Sequence, residues 1–231
     1  MVLYQPESGY CFNSDSVFLY DFIDSLNPKG DMLDVGAGSG IVGLLCAKDN
    51  DKINLEAIEK QEEFLKYSKK NAQENNIEYK LYHGDFVEYE FDKKYDYIVS
   101  NPPFYHHKGT KSDNEMLFNA RYNINLPLDK FFKKVSQVLK PKSHFVFCYD
   151  AMHFGEICAE LAKVKMRVVD VQFVHPKIDR CASIVMIHAR NGSNALMKVH
   201  EPFISFDGKE FSQKAKNIYE KAGTNSIKCQ L

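Results

Sequence analysis

Apolar positions along the chain follow two rhythms. Short runs rich in β-branched and aromatic residues occur at 31–35, 54–58, 79–83, 95–100, 144–149, 167–174 and 182–188, and such runs predict strands. Between the first six lie stretches with helical spacing at 41–48, 62–75, 128–139 and 153–163, and another at 16–26 precedes the first strand. Strands that alternate with helices predict a parallel sheet covered on both faces. The last two strands are separated only by residues 176–181, too few for a helical crossover, so they pair antiparallel or leave the sheet. The expected fold is therefore α/β: seven strands, mostly parallel, with an antiparallel C-terminal hairpin and helices on both faces. Residues 1–231 read as one domain, with 1–30 a segment ahead of the first strand. Residues 191–231, ending in a short helix at 211–222, read as an appendage.

Composition narrows the class without naming a function. Apolar residues at 44% and charged residues at 26% suit a globular chain with a sizeable core. No apolar run approaches the roughly 20 residues that span a bilayer. The N-terminus lacks a basic region followed by an apolar stretch, so the expectation is a cytoplasmic protein. The six cysteines form no C-x-x-C pair and read as reduced, mostly buried small hydrophobes. His106 and His107 are adjacent, and neighbours on an extended chain point opposite ways, so no metal site is expected. Thirty basic and 31 acidic residues leave a net charge of −1, so any surface for nucleic acid must be local.

The first strand runs into Asp34-Val35-Gly36-Ala37-Gly38-Ser39-Gly40 and then directly into a helix. Glycines there allow a tight turn and close approach of a ligand to a helix N-terminus. The spacing is G-x-G-x-G with an aspartate two residues ahead, not the G-x-G-x-x-G of dinucleotide folds. Glu59 closes the second strand, where it could accept from both ribose hydroxyls of a nucleoside. Asp85 follows the third strand, placed to accept from an adenine amine, with Phe86 beside it as a stacking face. Acids at the ends of consecutive strands, beside one glycine turn, favour S-adenosylmethionine over NAD.

The fourth strand ends in Asn101-Pro102-Pro103-Phe104. Two prolines fix the backbone and remove two N–H donors, leaving an acceptor-rich turn. The Asn101 side-chain carbonyl and the Pro102 main-chain carbonyl can both accept from one NH2 group. An aryl amine or amide nitrogen is a poor nucleophile because its lone pair is conjugated. Two acceptors on its hydrogens favour pyramidal geometry and free that pair for attack on a methyl sulfonium. Phe104 offers a flat face for a flipped base.

Together these motifs resemble the amino-methyltransferase branch of the class I (Rossmann-like) methyltransferases. The flanks resemble a narrower family, the bacterial tRNA(Val) adenine-37 N6-methyltransferases. These flanks are residues 5–16 (QPESGYCFNSDS), 120–122, 174–177 and 209–220. That resemblance implies that residues 1–30 cover the cofactor, with Tyr10, Phe12 and Asp15 closing over it. It implies that Asp34, Gly36, Gly38, Gly40, Glu59, Asp85 and Phe86 hold S-adenosylmethionine, with Asn101 at the border. Asn101, Pro102, Pro103 and Phe104 would present the amine. The fourth motif residue is Phe where many adenine enzymes carry Tyr, which keeps the face and loses a hydroxyl.

The polar stretch 105–125, with Lys108, Lys111 and Arg121, is a candidate lid and tRNA contact. Lys177 and Arg180 in the hairpin, with Lys209, Lys214, Lys216 and Lys221 in the tail, could form a second basic surface. The expected partner is tRNA, engaged by a monomer with no metal and no membrane. Alternatives stay open on the acceptor. They are the glutamine amide of a release factor, for which only 33 residues precede Asp34 in place of a helical domain; guanine N2 in RNA; and adenine N6 in DNA, for which no inserted recognition domain is present.

Overall fold

The structure, a computed structural model, describes residues 1–7, 11–48, 50–102 and 127–231. The expected strands form one sheet: β2 (Gly30–Val35), β3 (Ile53–Glu59), β4 (Lys80–His83), β5 (Tyr95–Ser100), β6 (Leu139–Asp150), β7 (Met166–His175) and β8 (Ile184–Asn191). Their order across the sheet is β7-β8-β6-β5-β2-β3-β4. Only β8 among these seven is reversed: it sits between β6 and β7 and is antiparallel to both. The sheet has nine strands among the described residues, not seven. The tail adds β9 (Lys198–Val199) and β10 (Phe203–Ile204), each parallel to β7 at the edge, followed by a separate hairpin of β11 (Phe206–Asp207) and β12 (Glu210–Phe211). Two-residue strands carry too little pattern to be read from sequence.

The chain order reverses at β2. Strands β3 and β4 are laid down on one side of it, then β5 returns to pair with its other side. In an open α/β sheet such a reversal leaves a crevice beyond the carboxyl ends of the two central strands.

Side chains alternate between the two faces of the sheet. On one face lie Phe145 and Phe147, against Phe131 and Phe132 of α4 (Leu128–Val138), with Phe86 edge-on to Phe131. Phe131 and Phe132 are fully buried, which stabilises the fold by on the order of 2–3 kcal/mol each. Helix α5 (Phe154–Lys163) covers the same face further along, where Phe154 meets Phe173. The other face carries Met32, Asp34, Tyr97, Val146 and Cys148, under α1 (Ser14–Asp24), α2 (Ile41–Lys48) and α3 (Glu62–Glu74). Asn13 caps α1 by accepting from the Asp15 N–H at 3.2 Å.

The two ends of the chain meet. Strand β1 (Val2–Pro6) pairs in parallel with β13 (Asn225–Cys229) as a separate ribbon. Its outer edge is held by two asparagines one turn apart, Asn71 on α3 and Asn75 at its C-cap. Asn75 accepts from Val2 N (2.9 Å) and donates to Val2 O (2.6 Å), and Asn71 does the same at Tyr4 (2.6 and 3.0 Å). The two carboxamides stand in for a missing strand. The tail helix α6 (Gln213–Ala222), capped by Ser212 and ended by Gly223 in the left-handed region, returns onto α1. There Phe18 meets Tyr219, and Lys221 pairs with Asp21 and Asp24. The ribbon of β1 and β13 joins segments more than 200 residues apart, so local pattern cannot announce it.

A chain of imidazoles and one carboxylate crosses the α1-covered face. His144 Nδ1 lies 2.8 Å from His188 Nε2, His188 Nδ1 lies 2.8 Å from Asp170 Oδ2, and Asp170 Oδ1 lies 3.0 Å from His200 Nε2. The His144 ring stacks on Tyr97 at 4.3 Å. Burial, reinforced by His188 and Arg190, pushes His144 down to about 4. Burial also lowers His188, against the pull of Asp170. For Asp170, burial pushes up, but its bonds from His188 and His200 outweigh it and the carboxyl is held low.

A histidine with a depressed folded pKa takes up its proton more readily when unfolded. Stability therefore falls as pH drops from about 6.5 toward about 4. His144→Gln, which keeps a donor but does not titrate, is expected to flatten that fall. The check is the urea midpoint measured across pH 7 to 4; an unchanged slope would clear His144 of the effect.

Candidate active site

Two loops meet at the point where strand order reverses. The first, residues 36–40, joins β2 to α2. Gly36 and Ala37 donate to Ile58 O at 2.9 and 3.3 Å, and Gly40 donates to Ala37 O at 2.8 Å, closing the turn. The backbone enters the left-handed region at Gly36, Gly38 and Gly40. At Gly36 and Gly38 a Cβ would meet nothing within 4 Å, because both face open space. At Gly40 it would come within 2.8 Å of Ser68 Oγ and 2.9 Å of Leu44 Cδ1, so that glycine serves the packing of α2 and α3.

Asp34 lies beneath this turn at 2% exposure. Its Oδ2 accepts from Gly43 N at 2.8 Å, which joins β2 to the first turn of α2. Burial, opposed by that bond and aided by the charge of Glu59, pushes the carboxyl up to about 7. A Cβ on Gly43 would stand 2.9 Å from the same oxygen. Gly43 is thus demanded by the site, although as a glycine within a helix it was readable only as a local weakness.

Glu59 is also buried, and its two oxygens are shared between loops. Oε2 accepts from Gly38 N and Oε1 from Gln61 N, each at 2.8 Å. Burial raises its pKa against those bonds. Each carboxylate oxygen still has lone-pair capacity toward a ligand. Gly84 N donates to Glu59 O at 3.0 Å, which sets the end of β4 beside that of β3. Asp85 follows, paired with Lys60 at 3.0 Å and accepting from Val87 N at 2.9 Å. Phe86 departs from expectation. Its ring is 4% exposed and packed among Phe91 and Phe131, so it serves the core and offers no free stacking face.

The second loop begins at Asn101. Ser100 Oγ donates to Val35 O at 2.8 Å, tying this loop to the glycine turn. Asn101 Nδ2 donates to Ser16 Oγ and its Oδ1 accepts from Cys148 Sγ, both at 2.9 Å. Pro102 is buried. Pro103, Phe104, Lys108, Lys111, Arg121 and Tyr10 lie outside the described residues. Phe12, Ser16, Gly36, Gly38, Phe64 and Asn101 line one cleft. Phe12 is held there by its N–H, which donates to Gln5 Oε1 at 2.8 Å, and Gln5 in turn donates to Ser226 of β13. Asp15 is buried in the first turn of α1, and burial pushes it up to about 6 against bonds from Asn13 and Ser14.

The residues present fit a nucleoside cofactor. The cleft has side-chain-free space at two glycines, an aromatic wall at Phe12, and a buried carboxylate bonded to the tip of the turn. Sequence reasoning missed Gly43, Phe64 and Cys148, none of which belongs to a spaced motif, and took in Gln5 and Ser16 only as ends of the 5–16 flank, with no role assigned. The basic candidates divide. Lys177 and Arg180 are exposed in the β7–β8 turn, where Arg180 N bonds to Lys177 O at 3.1 Å. In the tail, Lys216 pairs with Glu210, Lys221 with Asp21 and Asp24, and Lys214 sits over Phe203, while Lys209 is exposed. Among the described residues, no group of three or more His, Cys, Asp or Glu is arranged to hold a metal. Among them too, no helix is long and apolar enough to cross a membrane.

Residues 12–126 match the family described as methyltransferase small domain. A tRNA1(Val) (adenine(37)-N6)-methyltransferase of Aliivibrio fischeri is 28% identical over 157 residues, which are 67% of this chain and 66% of that protein. A protein of the same name from Christiangramia forsetii is 32% identical over 146 residues, 61% of this chain and 60% of the relative. The matched region thus spans just under two thirds of these relatives' own length. Among solved structures, a predicted O-methyltransferase from Agrobacterium tumefaciens has a TM-score of 0.70 at 14% identity, covering 93% of this chain and 100% of that one. An S-adenosylmethionine-dependent methyltransferase from Clostridium acetobutylicum has a TM-score of 0.55 at 15% identity, covering 80% and 93%. At such identities the structural likeness speaks for the fold.

The two kinds of glycine should separate experimentally. Gly38→Ala carries only left-handed backbone strain, roughly 1–2 kcal/mol. Gly40→Ala carries the same strain and a collision, and is expected to lose at least about 1 kcal/mol more. Urea unfolding checks the order; equal losses would refute the packing role given to Gly40.

Proposed function

We propose that this chain is a class I S-adenosylmethionine-dependent methyltransferase and that its methyl acceptor is the exocyclic N6 amine of an adenine in tRNA, at position 37 of a tRNA(Val). The observation that carries this reading is the shared cleft. Asn101, whose carboxamide can accept from an amine, lines the same cleft as the glycine turn. The names of the two relatives support the nucleoside and its position.

The bound cofactor supplies an electrophilic methyl on a sulfonium. The chain's own residues position and polarise around it. Glu59, with lone pairs left after its bonds to Gly38 and Gln61, accepts from the ribose hydroxyls. Asp85, a quarter exposed at the end of β4, accepts from the adenine amine of the cofactor. Asp34 acts one step back: it holds α2 and thereby the shape of the turn. Phe12 and Asp15 close the cleft from the N-terminal segment, and Tyr10 belongs with them by sequence.

At the acceptor, Asn101 Oδ1 and the Pro102 carbonyl take the two hydrogens of the target amine. Its lone pair is thereby directed at the methyl, and no strong base is required. Phe104 supplies the stacking face for a base turned out of its helix. Pro103, which has no N–H, brings no competing donor to the acceptor. Lys177 and Arg180, with Lys108, Lys111 and Arg121, meet the phosphates of the RNA.

The deciding experiment is transfer of a labelled methyl to unmodified tRNA(Val), to the same tRNA with position 37 changed, and to a release factor. Label on the first alone, recovered as N6-methyladenosine, supports the reading. Label on the release factor would keep the role of Asn101 and overturn the substrate. Asn101→Ala is expected to lower transfer at least about 100-fold while leaving cofactor affinity within a few-fold; loss of both together would refute its assignment to the acceptor. The carboxyl of Asp15 titrates at about 6 in the folded chain. Its ionised form favours a cationic cofactor, so affinity should weaken as pH falls through that value. Calorimetry on Asp15→Asn should find the dependence near that value reduced, with the contributions of Asp34 and Glu59 remaining.

A further inference from the structure

The acceptor loop raises a question that the motif does not answer. A carboxamide has two ends of nearly equal size, and its last torsion is broad and roughly two-fold. Only the oxygen end can accept from a target amine; turned over, Asn101 would offer a donor to a donor. Something must choose the orientation.

We infer that Cys148 and Ser16 are positioning residues for Asn101, and that the Cys148 thiol sets which end of the carboxamide serves as acceptor. The inference rests on the amino-methylation reading above. Cross-strand register brings the pair together. Ser100, the last residue of β5, is paired with Phe147 of β6, so Asn101, just past β5, and Cys148 of β6 are the residues that follow that pair. The thiol donates to Oδ1 at 2.9 Å, and Nδ2 donates to Ser16 Oγ at 2.9 Å. Both ends of the carboxamide are thus engaged, one by the sheet and one by α1.

The two partners are not equivalent. A serine hydroxyl donates or accepts with equal ease, so Ser16 can satisfy either end and cannot choose between them. A thiol donates weakly and accepts poorly. Cys148 and Ser16 are 0% and 2% exposed, so neither contact is shared with bulk water. Burial, with the charge of Asp15 nearby, holds the thiol well above its usual range. The sulfur therefore keeps its proton and remains a donor. Toward such a group the oxygen end is favoured and the NH2 end is not. The carbonyl oxygen has two lone pairs, so one bond from the thiol leaves the other for substrate.

Two measurements test this. In steady-state transfer to tRNA, Cys148→Ala is expected to lower kcat about tenfold, the equivalent of one net hydrogen bond. The KM for tRNA and the affinity for cofactor should stay within about twofold, because neither contact is made by the thiol. Cys148→Ser, whose hydroxyl donates but accepts equally well, restores the contact without the choice and is expected to recover only part of the loss. Parental kcat in Cys148→Ala, or in Cys148→Ser, would overturn the inference. The second measurement needs no substrate: the infrared S–H stretch of Cys148, identified by its absence in Cys148→Ala. The band should move to higher frequency in Asn101→Leu, where the acceptor is gone. An unmoved band would overturn the contact itself. A parent chain that methylates no tRNA would instead count against the function proposed above, an outcome distinct from either of these.

Discussion

Parallel pairing of β5 with β2 is the constraint on which the site depends. The register Asp34↔Val99 and Val35↔Ser100 brings two loops to the same height at the carboxyl end of the sheet. One loop is glycine-rich and the other begins with Asn101. Ser100 Oγ bonded to Val35 O then locks the two together at the point where they leave the sheet. A slip of one residue would turn Asn101 to the opposite face and take its carboxamide out of the cleft. Strand β6 extends the same logic, since its pairing with β5 sets Cys148 beside Asn101.

Around that pairing, the walls of the cleft are held by contacts between segments distant in sequence. Asn71 of α3 is fully buried, and besides Tyr4 it donates to Ser39 O at 2.8 Å. One side chain therefore joins the N-terminal strand to the glycine turn. Gln5, on the same strand, holds Phe12 at the cleft and reaches Ser226 on the C-terminal strand. Both chain ends are thus mechanically coupled to the cofactor side of the site. A buried amide with all its partners costs little, whereas losing one partner exposes the full desolvation penalty of the others.

Charge is used sparingly and mostly under cover. Asp15, Asp34 and Glu59 are all buried within the site, and burial raises each of them. Backbone N–H groups, not cations, meet Asp34 and Glu59. Each therefore holds its proton to a higher pH than usual, and a cofactor carrying positive charge would favour the ionised forms. Of the lysine ion pairs, Lys60 with Asp85 borders the site, while others lie at the surface of the tail and at the opposite end of the sheet, where Lys140 bridges Asp31 and Asp96. Surface pairs of this kind contribute only about 0–1 kcal/mol each.

What the sequence determined by itself is whatever is local. Alternating apolar rhythm announced the helices and the seven long strands, because burial of one face imposes its period on the residues. The glycine turn was legible for the same reason: its conformation depends on residues consecutive in the chain. Tertiary structure alone decided the rest. Which strand lies beside β2, where β8 inserts, and that the tail adds to the sheet edge all depend on pairings between distant segments. Phe86 shows the limit in a single residue, for its neighbour Asp85 placed it near a ligand while Phe131, 45 positions further on, took its ring into the core. Cys148 shows the converse: by sequence it is one small apolar residue in a strand, and only the register with β5 makes its proton a partner for Asn101.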